Sequence, residues 1–169
     1  MEKVEEMKKA AVMFSGDTLS AALAECYITI SGNRYNFMQA INLEAKFTKK
    51  KTKVPILGKT GQGNKATGWE GTGKATFHYN QSVFRRAMLH YKDTGEDVYF
   101  DIQVINEDPT SKVGTQEIIL KDCNMDDGIL AKFGADGEYL DEDMEFTFDD
   151  FSMPREFTEL AGFSMASDL

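Results

Sequence analysis

Cysteine, proline, tryptophan and long apolar runs are all scarce in this chain. Its 169 residues include two cysteines, three prolines and one tryptophan. No window approaches the roughly 18 apolar residues that a membrane-spanning helix requires, and the apolar run near the start is too short for the core of a signal peptide. The sequence therefore predicts a protein made in the cytoplasm, with Cys26 and Cys123 as reduced thiols.

Basic residues are also in short supply, because 19 lysines and arginines stand against 28 aspartates and glutamates, a formal net charge of −9. Wide contact with nucleic-acid phosphates needs a positive face, so nucleic-acid binding is not expected. The charges are segregated: residues 1–60 carry +4, residues 61–120 carry −2 and residues 121–169 carry −11. Complementary surfaces of this kind could meet head to tail in neighbouring copies.

The apolar content is sufficient for one folded domain. Hydrophobic residues make up 41% of the chain and include twelve phenylalanines, which excludes wholesale disorder. Residues 1–24 are interpreted as an N-terminal arm with a short amphipathic helix over residues 2–14. The β domain is predicted over residues 25–157, and residues 158–169 form a C-terminal tail.

Alternating apolar and polar residues predict seven or so strands. Ile41, Leu43, Ala45 and Phe47 alternate with polar neighbours, as in a sheet with one dry face. A helix is predicted from Ser82, as its cap, to Thr94, with Gly95 ending it. The fold class is therefore mainly β, an antiparallel sandwich or barrel with one flanking helix. The remaining strand predictions cover 27–30, 75–79, 98–104, 115–120, 144–148 and, more weakly, 128–133.

Glycine is concentrated in one segment. Six glycines lie between Pro55 and Gly73, more than a packed element tolerates. Together with the preceding lysines, they predict a long Gly- and Lys-rich loop over residues 46–73. Loops of this length are usually functional or disordered.

Each segment that resembles a catalytic or ligand-binding motif lacks a residue that the motif requires. The segment 68–75 resembles a phosphate-binding loop, but Ala75 lacks the hydroxyl that holds magnesium. The segment 122–128 resembles a calcium loop, but Phe133 stands where a bidentate glutamate belongs. His78 and His90 have no ligand at a metal-binding spacing. The sequence predicts no catalytic, cofactor or metal site and no enzyme.

Three segments carry a resemblance to a known family. Residues 67–77, 106–109 and 146–151 resemble, in order, the tail tube proteins of contractile phage tails, of the type found in the defective prophage PBSX. The resemblance spans roughly residues 24–157. It implies a β-barrel or sandwich similar to secretion-system tube proteins. Six subunits would form a ring with a continuous inner barrel, and the rings would stack into a tube inside a contractile sheath.

The resemblance also implies partners and a location. The partners would be further copies of the chain, the tail sheath, the baseplate and the tail terminator, with transient passage of DNA through the lumen and no membrane. Assembly would occur in the cytoplasm of the bacterial host, and the product would be a virion or a phage-tail-like particle. The family includes both DNA-delivering phages and DNA-free bacteriocins (tailocins).

Two function classes other than a tube subunit stay open. Trp69 in its glycine-rich surroundings is also a hint of a carbohydrate-type ligand-binding sandwich, and the acidic cluster over residues 136–143 could hold the carboxylate pair of a hydrolase.

Two surfaces are predicted for the tube that the resemblance implies. The predicted lumen-facing acids are Asp101, Glu145 and Asp149. The predicted contact loop between stacked rings contains Lys49, Lys50, Lys51, Lys53, Lys59, Lys65 and Trp69 as its anchor.

Overall fold

The computed structural model describes residues 14–36, 40–158 and 160. The predicted arm helix falls almost entirely on residues 1–13, outside the described residues, as do most residues of the C-terminal tail. The lead-in forms two short 3-10 turns, Ser15–Asp17 and Ala21–Leu23. The remaining elements are β1 Glu25–Ile30, β2 Asn33–Asn36, β3 Ala40–Val54, β4 Gly63–His78, α1 Val83–Thr94, β5 Phe100–Glu107, β6 Thr115–Met125, β7 Asp141–Phe148 and β8 Asp150–Arg155.

The strands form two antiparallel sheets that share β6. Sheet A has the strand order β2-β1-β5-β6-β8, and sheet B has the order β6-β7-β4-β3. Residues 115–121 and Cys123 of β6 pair within sheet A, and Asn124 and Met125 pair with β7 in sheet B. Asp122, two residues before the first pair in sheet B, has a positive φ of 53°, and the register between β5 and β6 shifts in this region.

The core lies between the two sheets and is closed on one side by α1. Sheet A contributes Ile28 and Ile102, and sheet B contributes Phe77 and Phe146, all of them 0% exposed. Phe84 of α1 packs its ring 5.3 Å from the Phe77 ring, measured between centroids. The predicted fold class, mainly antiparallel β with one flanking helix, is confirmed.

The glycine-rich segment is a hairpin and not a long loop. Residues 46–73 belong largely to β3 and β4, which pair over their full length, and only residues 55–62 lie outside strands. A Cβ atom at Gly71 would lie 2.3 Å from the ring of Phe148, and one at Gly73 would lie 2.2 Å from the ring of Phe146. These two glycines therefore make room for aromatic rings inside a strand, and the loop prediction was wrong.

Two further predictions are wrong, and one strand was not predicted. Residues 128–133 form no strand, and β8, which contains Pro154, was not predicted. Ser82 precedes α1 but makes no capping hydrogen bond through its side chain. Gly95 does end the helix as predicted, with φ of 74° and its N–H donating to the Tyr91 carbonyl at 2.8 Å.

Hydrogen bonds tie the lead-in to the turn between β5 and β6. The backbone N–H of Ser20 donates to Asp108 Oδ2 at 2.9 Å, and Ser111 Oγ donates to the Asp17 carbonyl at 2.9 Å. The N–H of Thr110 donates to the other oxygen of Asp108 at 2.9 Å. These backbone donors lower the pKa of Asp108, because they stabilise its ionised form.

Candidate assembly surfaces

A two-stranded arm projects from the sandwich. β4 pairs with β7 only from Gly71 to His78, so residues 63–70 pair with β3 alone. We call residues 48–70 the hairpin arm. Its strands extend about 23 Å beyond the sheet at about 3.3 Å per residue.

The hairpin arm is strongly basic. It contains a single acid, Glu70, whose carboxylate pairs with Lys50 Nζ at 2.9 Å. The structure thus brings all the lysines of the predicted contact loop together on one projection, in strands and not in a loop. These lysines are Lys49, Lys50, Lys51, Lys53, Lys59 and Lys65.

Trp69 lies at the base of the hairpin arm and contacts its own domain. Its ring stacks on Phe47 at 4.9 Å and meets Phe151 edge-on at 5.9 Å, between centroids. Phe148 lies 6.3 Å from Trp69. Aromatic pairs in such arrangements stabilise beyond their buried area. Trp69 therefore joins the base of the arm to the sandwich, in an aromatic cluster whose rings lie on strands and not in loops.

The outer face of sheet B is entirely polar where three strands lie side by side. Lys74 Nζ pairs with Glu145 at 3.0 Å, and Thr76 Oγ1 donates to Asp143 at 2.8 Å. Four acidic and two basic residues give this face a net charge of −2. Its eleven residues are Asn42, Glu44, Lys46, Thr72, Lys74, Thr76, His78, Asp141, Asp143, Glu145 and Thr147.

The outer face of sheet A mixes polar and apolar side chains. Tyr27, Ile105 and Ile119 lie on it between polar residues. A hydrogen-bonded chain crosses the strands there: Arg34 stacks over Tyr27 at 4.1 Å and donates to Gln103 at 2.6 Å. Gln103 donates to Glu117, which also accepts from Arg155 at 3.0 Å.

The structure separates the three acids that were predicted to share one lumen face. Asp101 lies on the outer face of sheet A, where it accepts the N–H of Asp122 at 3.1 Å. Glu145 lies on the outer face of sheet B, which points the opposite way, and Asp149 lies in the connection between β7 and β8. No one face of the sandwich contains all three acids, and which of them faces a channel stays a prediction.

The described residues show no reactive centre. Burial raises the pKa of Cys26 to about 11, and burial with nearby carboxylates raises the pKa of Cys123 to about 12, so both thiols stay protonated. Within the described part of the chain, no three His, Cys, Asp or Glu side chains are grouped to hold a metal. None of the helices described there has the length and apolarity needed to cross a membrane.

Comparisons with known proteins agree with this geometry. The family described as phage tail tube protein matches residues 11–155. The chain is 39% identical over 116 residues to the phage-like element PBSX protein XkdM of Bacillus subtilis strain 168, covering 69% of this chain and 79% of that protein.

Two solved structures have a similar fold. A chain in the cryo-EM structure of the anti-feeding prophage baseplate has a TM-score of 0.62 and 11% identity, covering 83% of this chain and 97% of that chain. A chain of the sheath-tube complex of the extracellular contractile injection system PVC, in the extended state, has a TM-score of 0.60 and 6% identity, covering 87% and 95%. At such identities the likeness concerns the fold alone.

Proposed function

The chain belongs to the phage tail tube protein family, and from this premise we propose that its copies join into closed rings of six that stack into a tube around a central channel. Its place is in a phage or phage-like particle, where it is a structural subunit and not an enzyme. The observation that carries the proposal is the all-polar outer face of sheet B, which ends in the long open edge of β3.

The open edge of β3 supports ring closure. Over the described residues, this strand of 15 residues pairs with β4 on one side only. A row of unpaired backbone groups is a template for another chain, and a ring of copies removes such edges. Five lysines, from Lys46 to Lys53, discourage indiscriminate pairing while leaving a specific neighbour free to bind.

The outer face of sheet B is the one we propose to line the channel. A water-filled bore needs a face without apolar side chains, and the eleven residues of this face are all polar. The outer face of sheet A carries Tyr27, Ile105 and Ile119, which suits contact with protein. In this arrangement Glu145 faces the channel and Asp101 faces away from it.

An acidic channel would act by repulsion. The net charge of −2 on the outer face of sheet B recurs in every copy around the ring. Screening extends about 8 Å at physiological ionic strength, so the field stays close to the wall of a narrow bore. DNA phosphates or acidic cargo would pass without sticking.

The hairpin arm is proposed to contact the next ring, since it projects beyond the sandwich and carries six lysines. The tail sheath would surround the tube, and the baseplate and tail terminator would bind its ends. Chains of similar fold occur in structures of a baseplate and of a sheath-tube complex, which supports these partners. Assembly would take place in the cytoplasm of the bacterial host.

Electron microscopy of the purified protein tests the proposal. We expect negative-stain images with sixfold rings at moderate concentration and cylinders at high concentration, and a matching early peak in size-exclusion chromatography. Protein that remains monomeric at high concentration, across a range of salt and crowding agents, would contradict it.

Cysteine accessibility tests which face lines the channel. Thr72→Cys lies on the outer face of sheet B, and Glu107→Cys is the matched control on the outer face of sheet A. A bulky maleimide-polyethylene glycol should label both in free subunits but only the Glu107→Cys variant in assembled tubes. The native thiols of Cys26 and Cys123 should not react with the maleimide, because burial raises the pKa of both. Protection of the cysteine at 107, with labelling at 72, would reverse the assignment.

A further inference from the structure

A groove under α1 adjoins the outer face of sheet B, since Asp126 stands at the edge of both. Its volume is about 400 Å³, and its floor is apolar, formed by side chains from α1, β1, β5 and β6. Phe84 and Phe100 are each only 5% exposed at its base, and Met88 and Met125 line its sides. The groove can therefore accept an aliphatic side chain.

Three carboxylates stand at the rim of the groove, and one of them has no partner. Asp97 accepts from the Asn124 side chain and the Val98 N–H, and Asp127 accepts the N–H of Glu145 at 2.8 Å. Over the described residues, the Asp126 carboxylate has no hydrogen bond or ion pair. Burial and the neighbouring carboxylates raise the pKa of Asp126, so a cation beside it would stabilise its ionised form.

The tip of the hairpin arm has the complementary features. The N–H of Lys59 donates to the Ile56 carbonyl at 3.2 Å, and Gly58 has a φ of 84°, which together close a tight turn. This turn presents Leu57 with its side chain fully exposed. An isolated exposed leucine at the end of a basic projection has nothing of its own domain to pack against.

We infer that the tip of the hairpin arm docks into the groove under α1 of a second copy in the adjacent ring, with Leu57 in the apolar floor and Lys59 beside Asp126. The inference rests on the proposed function, because it needs stacked copies. Charge complementarity selects this occupant: residues 48–70 carry a net charge of +5, and the only charged residues that line the groove are the acids Asp97, Asp126 and Asp127. Contact of this kind joins opposite signs and buries both exposed apolar surfaces.

Removing the apolar contact is the first test. Leu57→Ser should lower the association constant for ring stacking by about tenfold or more per contact, leaving single rings where the unaltered protein forms cylinders. Leu130→Ser is the matched control, since Leu130 is 69% exposed and lies outside the groove. Cylinders of normal length from Leu57→Ser would overturn the inference.

A charge exchange within one chain is the second test. Lys59→Glu and Asp126→Lys should each shorten the cylinders, and the chain with both substitutions should recover them, because every contact then pairs opposite charges again. Lys112→Glu, on the turn between β5 and β6, controls for net charge. A double variant no better than either single variant would overturn the pairing.

Cross-linking is the third test and separates the two proposals. With Leu57→Cys and Met88→Cys in one chain, mild oxidation of cylinders should give a ladder of disulfide-linked chains that neither substitution gives alone. Cylinders without a ladder would overturn the docking but leave the tube function intact. Absence of both rings and cylinders in the unaltered protein would instead contradict the proposed function itself.

Discussion

At Gly71 and Gly73 the backbone of β4 supports two phenylalanine rings from β7. The strand pairing places Phe148 opposite Gly71 and Phe146 opposite Gly73. Each ring occupies the volume that a Cβ atom of its partner would need, at 2.3 and 2.2 Å respectively. Glycine is therefore required at these positions by packing, whereas Gly68 has no atom within 4 Å of a Cβ position.

Gly73→Ala should lower the free energy of unfolding by about 1–3 kcal/mol, because the added methyl group forces the buried Phe146 ring out of place. Gly68→Ala should leave it unchanged or raise it slightly, since the substitution meets open space and restricts the unfolded chain. Urea denaturation of both variants measures the difference. Equal stabilities would contradict the packing role of Gly73.

At the scale of elements, Arg85 fastens α1 to sheet B. Its guanidinium donates to Glu142 at 2.7 Å and to the Ile129 carbonyl at 3.2 Å, and it lies 4.2 Å from the centre of the Tyr79 ring. The Glu142 side chain is only 5% exposed, and its second oxygen has no hydrogen-bond partner over the described residues. Removing Arg85 would leave a buried carboxylate without a counter-charge.

Arg85→Ala should therefore cost about 3–5 kcal/mol of unfolding free energy. Arg85→Met combined with Glu142→Leu should recover most of that loss, because an apolar pair of similar volume needs no desolvation of charge. Lys92→Ala, which breaks the exposed ion pair with Asp93, is the control and should change stability by less than about 1 kcal/mol. If Arg85→Ala and Lys92→Ala lower the free energy of unfolding equally in urea denaturation, the contacts of Arg85 with sheet B contribute little to stability.

The elements that sequence could predict are those with one buried face. Met144, Phe146 and Phe148 alternate with polar residues, so β7 could be predicted from the sequence, and Gly95 indicated the end of α1. The strands of the hairpin arm could not be predicted, because both faces of the arm are exposed and its sequence therefore lacks the alternation of apolar and polar residues. The groove under α1 is built from segments far apart in the chain, which no local pattern connects.

At the scale of the whole molecule, charge acts on association in two opposed ways. Every copy carries −9, so copies repel at long range. The basic hairpin arm and the three carboxylates at the rim of the groove under α1 attract when they come close. Long-range repulsion is screened at lower salt than a close contact, since the screening length falls from about 10 Å at 0.1 M to about 3 Å at 1 M.

Tube formation should therefore pass through a maximum as salt rises. We expect less polymer at about 0.01 M salt, where the repulsion is unscreened, and again at about 1 M, where the contacts are weakened. Sedimentation of polymer across a salt series measures this. Lys112→Glu, which adds two negative charges per copy away from the arm, should depress only the low-salt side. A steady rise of polymer up to 1 M would show that charge contacts do not hold the rings together.

The sharing of β6 by both sheets has a consequence for how a subunit can fail. Because β6 pairs within sheet A as far as Cys123 and with β7 in sheet B from Asn124, opening either sheet along β6 disturbs a strand that the other sheet also holds. We therefore expect the two sheets of a subunit to unfold together, in one cooperative transition. In a tube made of such subunits, unfolding would then remove a whole subunit from the wall and would not leave one sheet of it in place.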